Sequence, residues 1–222
     1  MVRQTRQQKH ARRRGFFLVL DGPDGGGKTT QAKLLAAALR RAGRAVLLTR
    51  EPGGTPLGEA LRRLILHRRD LPRTVGAELL LFMAARAELV ATVIRPALAA
   101  GKVVIADRFL DSSIVYQGIV GGLGGLKAEL VGSLTGIRTS MIDLLVLLDV
   151  PAAEGLARSR RKGRADAIES RGRAYHERVR RGFRQRAAQL RRRGFPVLVL
   201  DARRPVKEVA AAVLKQVRDV LG

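Results

Sequence analysis

The feature that most constrains this chain is a glycine-rich turn that directly follows a short apolar segment, Phe16–Leu20. The turn, residues 22–30, reads Gly-Pro-Asp-Gly-Gly-Gly-Lys-Thr-Thr and matches the P-loop pattern G-x-x-x-x-G-K-[ST], with a helical pattern after it as the motif requires. Its glycines let the backbone turn tightly and bring N–H groups close to phosphate oxygens, and the helix N-terminus adds positive potential. The turn therefore predicts binding of a nucleoside triphosphate.

Within this turn the pattern assigns two side chains directly. Lys28 is expected to reach the β and γ phosphates and to act in catalysis, and the hydroxyl of Thr29 is expected to hold Mg²⁺. The full set predicted to bind ATP is Gly22, Pro23, Asp24, Gly25, Gly26, Gly27, Lys28, Thr29 and Thr30.

The remaining apolar segments predict the sheet on which this turn sits. Four more short, nearly continuous apolar runs are typical of strands buried on both faces of a parallel sheet; they are Ala45–Leu48, Val103–Ala106, Leu144–Leu148 and Val197–Leu200. Stretches with helical spacing lie between them, at Lys28–Arg41, Val75–Ala100, Ala152–Lys162, Arg171–Arg193 and Val206–Leu221. Alternating strands and helices predict an α/β fold of three layers, a parallel sheet of about five strands flanked by helices.

Two positions are expected to interrupt these elements. Pro96, late in the long helical stretch, predicts a kink or a break there, because proline lacks the N–H that a helix interior needs. The glycine-rich residues Gly118 to Gly125 predict a mobile loop.

Composition limits the classes of protein to which the chain can belong. Its 222 residues suffice for one compact domain, and 43 basic against 19 acidic residues give a net charge of +24. The absence of cysteine excludes disulfides and thiolate chemistry, and no apolar run approaches the ~20 residues of a membrane span. Residues 1–15 are basic but lack the apolar core of a secretory signal. We expect them to be a disordered extension of a cytoplasmic protein without membrane partners.

Two further motifs follow the second and third predicted strands. The first, residues 49–59, reads T-R-E-P-G-G-T-P-L-G-E, and the second, residues 107–113, reads D-R-F-L-D-S-S and is followed by Tyr116-Gln117-Gly118. Together with the P-loop they resemble the thymidylate kinase family over nearly the whole chain, from Phe16 to about Leu221. The resemblance implies a P-loop kinase fold, one domain over residues 16–222 with a basic lid at about 158–170, and a homodimer. It further implies that Mg-ATP phosphorylates dTMP to dTDP for dTTP synthesis.

The acceptor side of this predicted site rests on chemistry and on the resemblance. Arg50 and Arg108 follow adjacent predicted strands, where a pair of guanidinium groups can clamp a phosphate dianion. The resemblance implies that both contact the acceptor phosphate, and that Phe82 stacks on the thymine while Arg86, four residues later, hydrogen-bonds the base. By the same resemblance, Ser113 and Tyr116 line the thymine pocket and the sugar.

The resemblance also gives roles to two acids. Asp24 matches an acidic position close to the sugar 3′-hydroxyl and the reacting phosphates, and Asp107 matches the strand-end acid near Mg²⁺. A proton-abstracting base is unnecessary, because the attacking phosphate oxygen is already anionic at neutral pH. Catalysis is therefore expected to consist of positioning and charge neutralisation.

The predicted lid departs from the family pattern at two points. Some members carry an arginine just after the P-loop acid, whereas this chain has Gly25, so the charge must come from the basic segment 158–164, where Arg160 and Arg164 are the candidates. The family's D-R-[FYI]-E becomes Asp-Ala-Ile-Glu at residues 166–169, so either a neighbouring arginine substitutes or the rate is lower. The resemblance implies that Ile168 helps exclude a ribose 2′-hydroxyl and that Glu169 organises Mg²⁺ or the phosphates.

Two alternative functions remain open, and a second copy of the chain is a predicted partner. The missing lid arginine permits a related nucleoside or nucleotide kinase with another acceptor, and the charge of +24 permits a nucleic-acid-binding P-loop protein. With two Tyr, six Phe and no Trp, a stacking platform for single strands is disfavoured, so nucleic acid is not expected as the main partner. The apolar face of Val75–Val93 is the predicted dimer contact. No catalytic or metal role is assigned to His10, His67 or His176.

Overall fold

A parallel sheet forms the centre of the molecule. The computed structural model describes residues 15–161 and 166–221. The predicted basic extension lies outside this range except for Gly15, as do residues 162–165 of the predicted lid. The strands are β1 (Phe16–Asp21), β2 (Val46–Arg50), β3 (Val103–Asp107), β4 (Leu144–Asp149) and β5 (Val197–Asp201). All neighbours pair in parallel in the order β2-β3-β1-β4-β5, which confirms the predicted five-stranded α/β sheet.

Burial along the strands follows their place in the sheet. The apolar residues of the three central strands, β1, β3 and β4, are buried, as a strand covered on both faces requires. The prediction that every strand is buried in this way is wrong for β2 and β5. Both lie at the edges with one neighbour each, and most of their residues are half-buried.

Helices cover both faces of the sheet. In the described residues the α-helices are α1 (Lys28–Arg41), α2 (Pro56–His67), α3 (Val75–Leu89), α4 (Arg95–Ala99), α5 (Leu110–Ser113), α6 (Gly125–Leu134), α7 (Ala152–Arg160), α8 (Arg173–Arg192) and α9 (Val206–Leu221). Alternate residues of β1 separate the two faces: Leu18 and Leu20 pack in a cluster with α1 and α9, whereas Phe17 and Val19 pack with α3 and α4. The three-layer prediction is confirmed. No helix within the described ranges is long and apolar enough to cross a membrane.

The long helical stretch before β3 changes its winding near the predicted break. The segment Val90–Ile94 is π-helical and lies between α3 and α4, immediately before Pro96. Proline offers no N–H and its ring crowds the carbonyl four residues earlier, so the wider turn falls on its N-terminal side.

The prediction of a loop over Gly118–Gly125 is wrong at both ends. Gly118 is buried in a π-helical segment, Ile114–Val120, and Gly125 begins α6. A β-carbon on Gly118 would lie 2.9 Å from the Cα of Gly125, so the missing side chain lets the two segments pack closely. The glycines are needed here for close packing of two helical segments. Composition alone cannot distinguish glycines of this kind from the glycines of a loop. Helices α2, α5 and α6 were not predicted.

Candidate active site

The predicted residues meet in one pocket of about 360 Å³ at the carboxyl ends of the central strands. Those that line it are Asp24, Gly25, Gly27, Lys28, Thr29, Arg50, Phe82, Asp107, Arg108, Ser113, Tyr116, Ile168 and Glu169. Gly22, Pro23, Gly26, Thr30, Arg86 and Arg160 are not among the lining residues, and Arg164 lies outside the described residues. Lining residues that sequence reasoning missed are Glu51, Pro52, Arg62, Leu66, Ser112, Gln117, Ser159 and Asp166.

The P-loop between β1 and α1 holds its lysine by backbone carbonyls. Gly22 and Gly27 have φ angles of 134° and 84°, which L side chains rarely adopt. The Nζ of Lys28 donates hydrogen bonds to the carbonyl oxygens of Gly22 at 3.0 Å and Pro23 at 2.7 Å. Burial lowers the pKa of Lys28 to about 8, with the positive charge of Arg108 as the second cause. The nearby carboxylates of Asp24, Asp107 and Asp21 oppose this shift without cancelling it.

A hydroxyl and a carboxylate face each other where the P-loop meets β3. The Oγ1 of Thr29 donates to Oδ2 of Asp107 at 2.5 Å. Both are hard oxygen donors, and Mg²⁺ in nucleotide sites takes one or two protein oxygens, with water and phosphate supplying the rest. The pair thus fits Mg²⁺. No cluster of three or more acids, histidines or cysteines suited to a metal occurs within the described ranges, so Glu169 does not join Asp107 in such a cluster.

Arg108 lines the pocket and has a strained backbone conformation. Its φ of 74° is in the left-handed region, which non-glycine residues seldom occupy. Its guanidinium donates to the carbonyl oxygen of Gly22 at 3.0 Å and to a carboxylate oxygen of Asp24. The other oxygen of Asp24 accepts a hydrogen bond from the Tyr116 hydroxyl at 2.8 Å. Burial acts to raise the pKa of Asp24, but the Arg108 and Lys28 charges outweigh it, so this pKa lies below its usual value.

A buried acid supports Arg108 from beneath the pocket. Asp21, the last residue of β1, accepts hydrogen bonds from the Ser112 hydroxyl at 2.7 Å and the Gly22 backbone N–H at 2.9 Å, and it is 3.4 Å from Arg108. Desolvation raises its pKa to about 6 although Arg108 opposes the shift. Sequence reasoning missed Asp21; a carboxylate at the end of an apolar strand was the available signal.

Two more arginines line the pocket on the β2 side. Arg50 is 3.2 Å from both carboxylate oxygens of Glu59 and its side chain is 55% exposed. Arg62, on α2, donates to the carbonyl oxygen of Pro52 at 2.8 Å. Desolvation and the charge of Arg50 lower the pKa of Arg62, and the carboxylates of Glu59, Asp166 and Asp107 oppose this shift.

The far end of the pocket combines an aromatic ring with buried polar groups. Phe82 lines it and is half-buried. Arg86 lies behind this wall at 1% exposure, where it pairs with Glu51 at 2.6 Å and donates to the Ser113 hydroxyl at 3.1 Å. Burial raises the pKa of Glu51 to about 7, against the effect of Arg86. The direct contact of Arg86 with a base remains a prediction; in the described structure it holds Ser113.

The described part of the lid lies against the pocket. The Ala167 N–H donates to the Leu66 carbonyl oxygen at 3.0 Å, and Oδ1 of Asp166 accepts from the backbone N–H groups of Ile168 and Glu169 at 2.8 and 2.9 Å. Ile168 is buried. The Oε2 of Glu169 accepts from the Asp166 N–H at 3.2 Å.

Helix α7, which precedes the lid, lines the pocket through a residue other than the predicted Arg160. Helix α7 ends at Arg160, which is exposed and does not line the pocket, whereas the preceding Ser159 does. A β-carbon on Gly25 would run into the backbone of Gly155 in the same helix. The close contact between these two glycines leaves no room for a side chain at position 25.

A histidine to which sequence reasoning gave no role lies beside the site. His176, on α8, is 1% exposed, and its Nε2 is 3.3 Å from the carbonyl oxygen of Glu169. Its Nδ1 is 3.6 Å from Asp24 and has no hydrogen-bond partner in the described structure. A lone histidine in a helical pattern gave no signal of this position.

A phosphate-binding loop on a parallel sheet, with a buried lysine, a hydroxyl–carboxylate pair and an opposing set of arginines, defines a P-loop nucleotide kinase. Comparisons with known proteins give the family. The family model described as thymidylate kinase matches residues 20–213. The thymidylate kinase of Deinococcus radiodurans is 46% identical over 200 residues, covering 90% of this chain and 94% of the relative. That of Pseudomonas entomophila is 44% identical over 201 residues, covering 90% and 93%.

A solved structure agrees with these relatives. The crystal structure of thymidylate kinase from Ehrlichia chaffeensis superposes with a TM-score of 0.72 at 31% identity, covering 92% of this chain and 98% of that one. The chain belongs to the thymidylate kinase family. It is an ATP-dependent kinase that phosphorylates dTMP.

Proposed function

We propose that the pocket transfers the γ-phosphoryl group of Mg-ATP in line to the phosphate of dTMP, with the following division of roles. One observation carries the proposal: Lys28 and Arg108 donate hydrogen bonds to the same carbonyl oxygen, that of Gly22, each at 3.0 Å. The predicted donor-side and acceptor-side cations therefore lie beside each other, which supports a role for both between the two phosphates. Such an arrangement neutralises charge where it develops during phosphoryl transfer.

On the donor side, residues 22–30 bind the phosphates of ATP. Thr29 and Asp107 hold Mg²⁺, with Glu169 ordering the phosphates or their water from the lid. When bound there, Mg²⁺ would neutralise negative charge on the phosphates. Lys28 leaves its two backbone acceptors and bonds to the phosphates instead.

On the acceptor side, Arg50, Arg62 and Arg108 bind the phosphate of dTMP. The exposed guanidinium of Arg50 and the lowered pKa of Arg62 support this role, because an anion relieves the repulsion between the two cations. Asp24 orients Arg108 and lies close to the sugar, beside Tyr116.

The base of dTMP occupies the apolar end of the pocket. Phe82 stacks on the ring, Ser113 and Gln117 contact its polar edge, and Ile168 excludes a ribose 2′-hydroxyl by desolvating it. Arg86 acts on the base directly or through Ser113. The lid charge comes from Arg160 or from Arg164, which lies outside the described residues.

The wider setting of this activity is also proposed. We infer a homodimer formed through the face of Val75–Val93, where Leu80 is 60% exposed and Ala77 and Ala84 are exposed beside it. We further infer that the enzyme works in the cytoplasm and that nucleic acid is not a main partner.

The clamp assignment is tested by Arg108→Ala. Loss of two charge-assisted hydrogen bonds to a phosphate is expected to lower kcat/KM for dTMP by about 100-fold or more, or about 2.7 kcal/mol of transition-state stabilisation. The measurement is release of ADP in a coupled assay. Arg181→Ala, at an exposed position of α8, is the matched control and should keep wild-type kinetics.

Two outcomes of this experiment are informative. Unchanged kinetics in Arg108→Ala would remove Arg108 from the clamp. A loss accompanied by an altered circular dichroism spectrum would reflect misfolding; Arg108→Lys then decides, because it retains the charge but not the forked geometry and should recover only part of the activity.

A further inference from the structure

Gln117 presents one unpaired polar atom at the base end of the pocket. Its side chain lines the pocket, the residue is 1% exposed, and its Nε2 donates to Oε1 of Glu78 at 2.8 Å. Its Oε1 has no hydrogen-bond partner in the described parts of the chain. A buried carbonyl without a partner is unfavourable, so this oxygen is suited to accept a hydrogen bond from a bound ligand.

The neighbouring carboxylate decides which end of the Gln117 amide remains unpaired. A carboxylate only accepts hydrogen bonds, so Glu78 must face the NH₂ group of Gln117 and repels its oxygen. An amide on its own carries no such preference, because its two ends have nearly the same shape. Glu78 therefore fixes Gln117 as an acceptor.

Glu78 in turn depends on a residue that follows the lid. Its side chain is 5% exposed, and its second oxygen, Oε2, accepts a hydrogen bond from the guanidinium of Arg171. Arg171 is itself held by the Tyr175 hydroxyl at 3.0 Å and stacks over that ring at 5.2 Å. A buried carboxylate needs such a counter-charge. Arg171, Glu78 and Gln117 thus form a chain from the end of the lid to the base pocket.

We propose that Glu78, paired with Arg171, is a positioning residue for acceptor specificity: it holds the Gln117 carbonyl oxygen ready to accept a hydrogen bond from the base. This inference rests on the proposed placement of the base beside Phe82. Thymine carries a donor, N3–H, on its pairing edge, whereas N3 of cytosine is an acceptor. The arrangement therefore favours binding of thymine. It disfavours cytosine, because cytosine N3 and the Gln117 oxygen are both hydrogen-bond acceptors and repel each other.

The test is Glu78→Gln, which keeps the shape of the side chain but can both donate and accept. The Gln117 amide can then rotate, so the preference for dTMP over dCMP, measured as the ratio of kcat/KM values, should fall about 10-fold. The loss should appear mainly as a higher KM for dTMP, with kcat and the KM for ATP changed by less than about twofold. Arg171→Met should shift the ratio in the same direction and Arg171→Lys should restore most of it.

A double-mutant cycle separates this role from simple packing at the start of α3. In a Gln117→Leu background Glu78 has no amide to orient, so adding Glu78→Gln should leave the dTMP to dCMP ratio unchanged. An equal drop with and without Gln117 would overturn the proposal, as would an unchanged ratio in the single variant. If Glu78→Gln does not fold, Arg171→Met at a partly exposed side chain decides the question alone. A wild-type enzyme inactive on dTMP would instead contradict the proposed function.

Discussion

At the scale of single residues, the site depends on polar groups that are buried before any substrate arrives. Lys28, Asp21 and Glu51 all have pKa values displaced first by desolvation, to about 8, 6 and 7. Strongly shifted pKa values of this kind cluster at ligand-binding and catalytic sites. Each displaced pKa also gives a measurable dependence on pH.

Binding of ATP should be linked to proton uptake by Lys28. In the free protein its pKa is about 8, and triphosphate oxygens favour the charged ammonium, so binding raises this pKa. Uptake should therefore be small at pH 7 and grow towards pH 9, reaching about half a proton at pH 8. Isothermal titration in buffers with different ionisation enthalpies measures it.

A matched pair of variants makes this assignment specific. Lys28→Met should abolish the uptake, whereas Lys33→Met, at an exposed position of the same helix, should leave it intact. Uptake that does not change between pH 7 and pH 9 would contradict the assignment.

At the scale of elements, buried ion pairs fix the segment after β3 against the helices around it. Arg186 on α8 lies 2.7 Å from Asp111 on α5 and donates to the Thr139 hydroxyl at 3.1 Å. Both charged side chains are at most 4% exposed. Asp111 follows Arg108 by three residues, so the pair anchors the segment that continues from the proposed clamp arginine.

Arg186→Met should lower the free energy of unfolding by about 3–5 kcal/mol, because Asp111 is left buried without its partner. Burial already raises the pKa of Asp111, and removing Arg186 raises it further. A raised carboxyl pKa means that the folded state binds more protons than the unfolded state, so stability falls as the pH rises above the unfolded pKa. The loss should therefore be larger at pH 8 than at pH 5.

Urea denaturation at both pH values measures this effect. Arg184→Met, two residues away and exposed, is the control and should change stability by less than about 0.5 kcal/mol. A loss for Arg186→Met similar to that of the control would show that the buried pair contributes little.

The elements also show what sequence can and cannot predict. Arg50 and Asp107 end strands β2 and β3, and Arg108 follows β3 directly. Lys28 begins α1 after the P-loop. Because local motifs fix these positions relative to the strands, sequence could predict that all four lie together, and all four line the pocket. Arg62 lies on α2 next to Arg63, and only the packing of that helix decides which of the two faces the pocket.

Sequence also could not predict how a side-chain amide is oriented or which residue it hydrogen-bonds to. The motif that contains Gln117 does not reveal which group hydrogen-bonds to its amide. Glu78 is 39 residues away in the chain, and the two side chains meet only in the folded protein. The use of Gly25 and Gly118 for close packing was invisible for the same reason.

At the scale of the whole molecule, a large positive charge accompanies an ordinary nucleotide kinase fold. The net charge is +24, yet the family match and the pocket account for the activity without a polyanionic partner. The proposed acceptor-binding residues Arg50, Phe82 and Tyr116 line that pocket, so acceptor choice is the property to measure.

The most direct measurement is ADP release from Mg-ATP with dTMP, dUMP, dCMP, UMP and thymidine as acceptors. We predict that dTMP is strongly preferred, that dUMP follows because it keeps N3–H, and that UMP is rejected through Ile168. Preference for dCMP, or turnover of thymidine in place of dTMP, would contradict the proposed reading of the pocket.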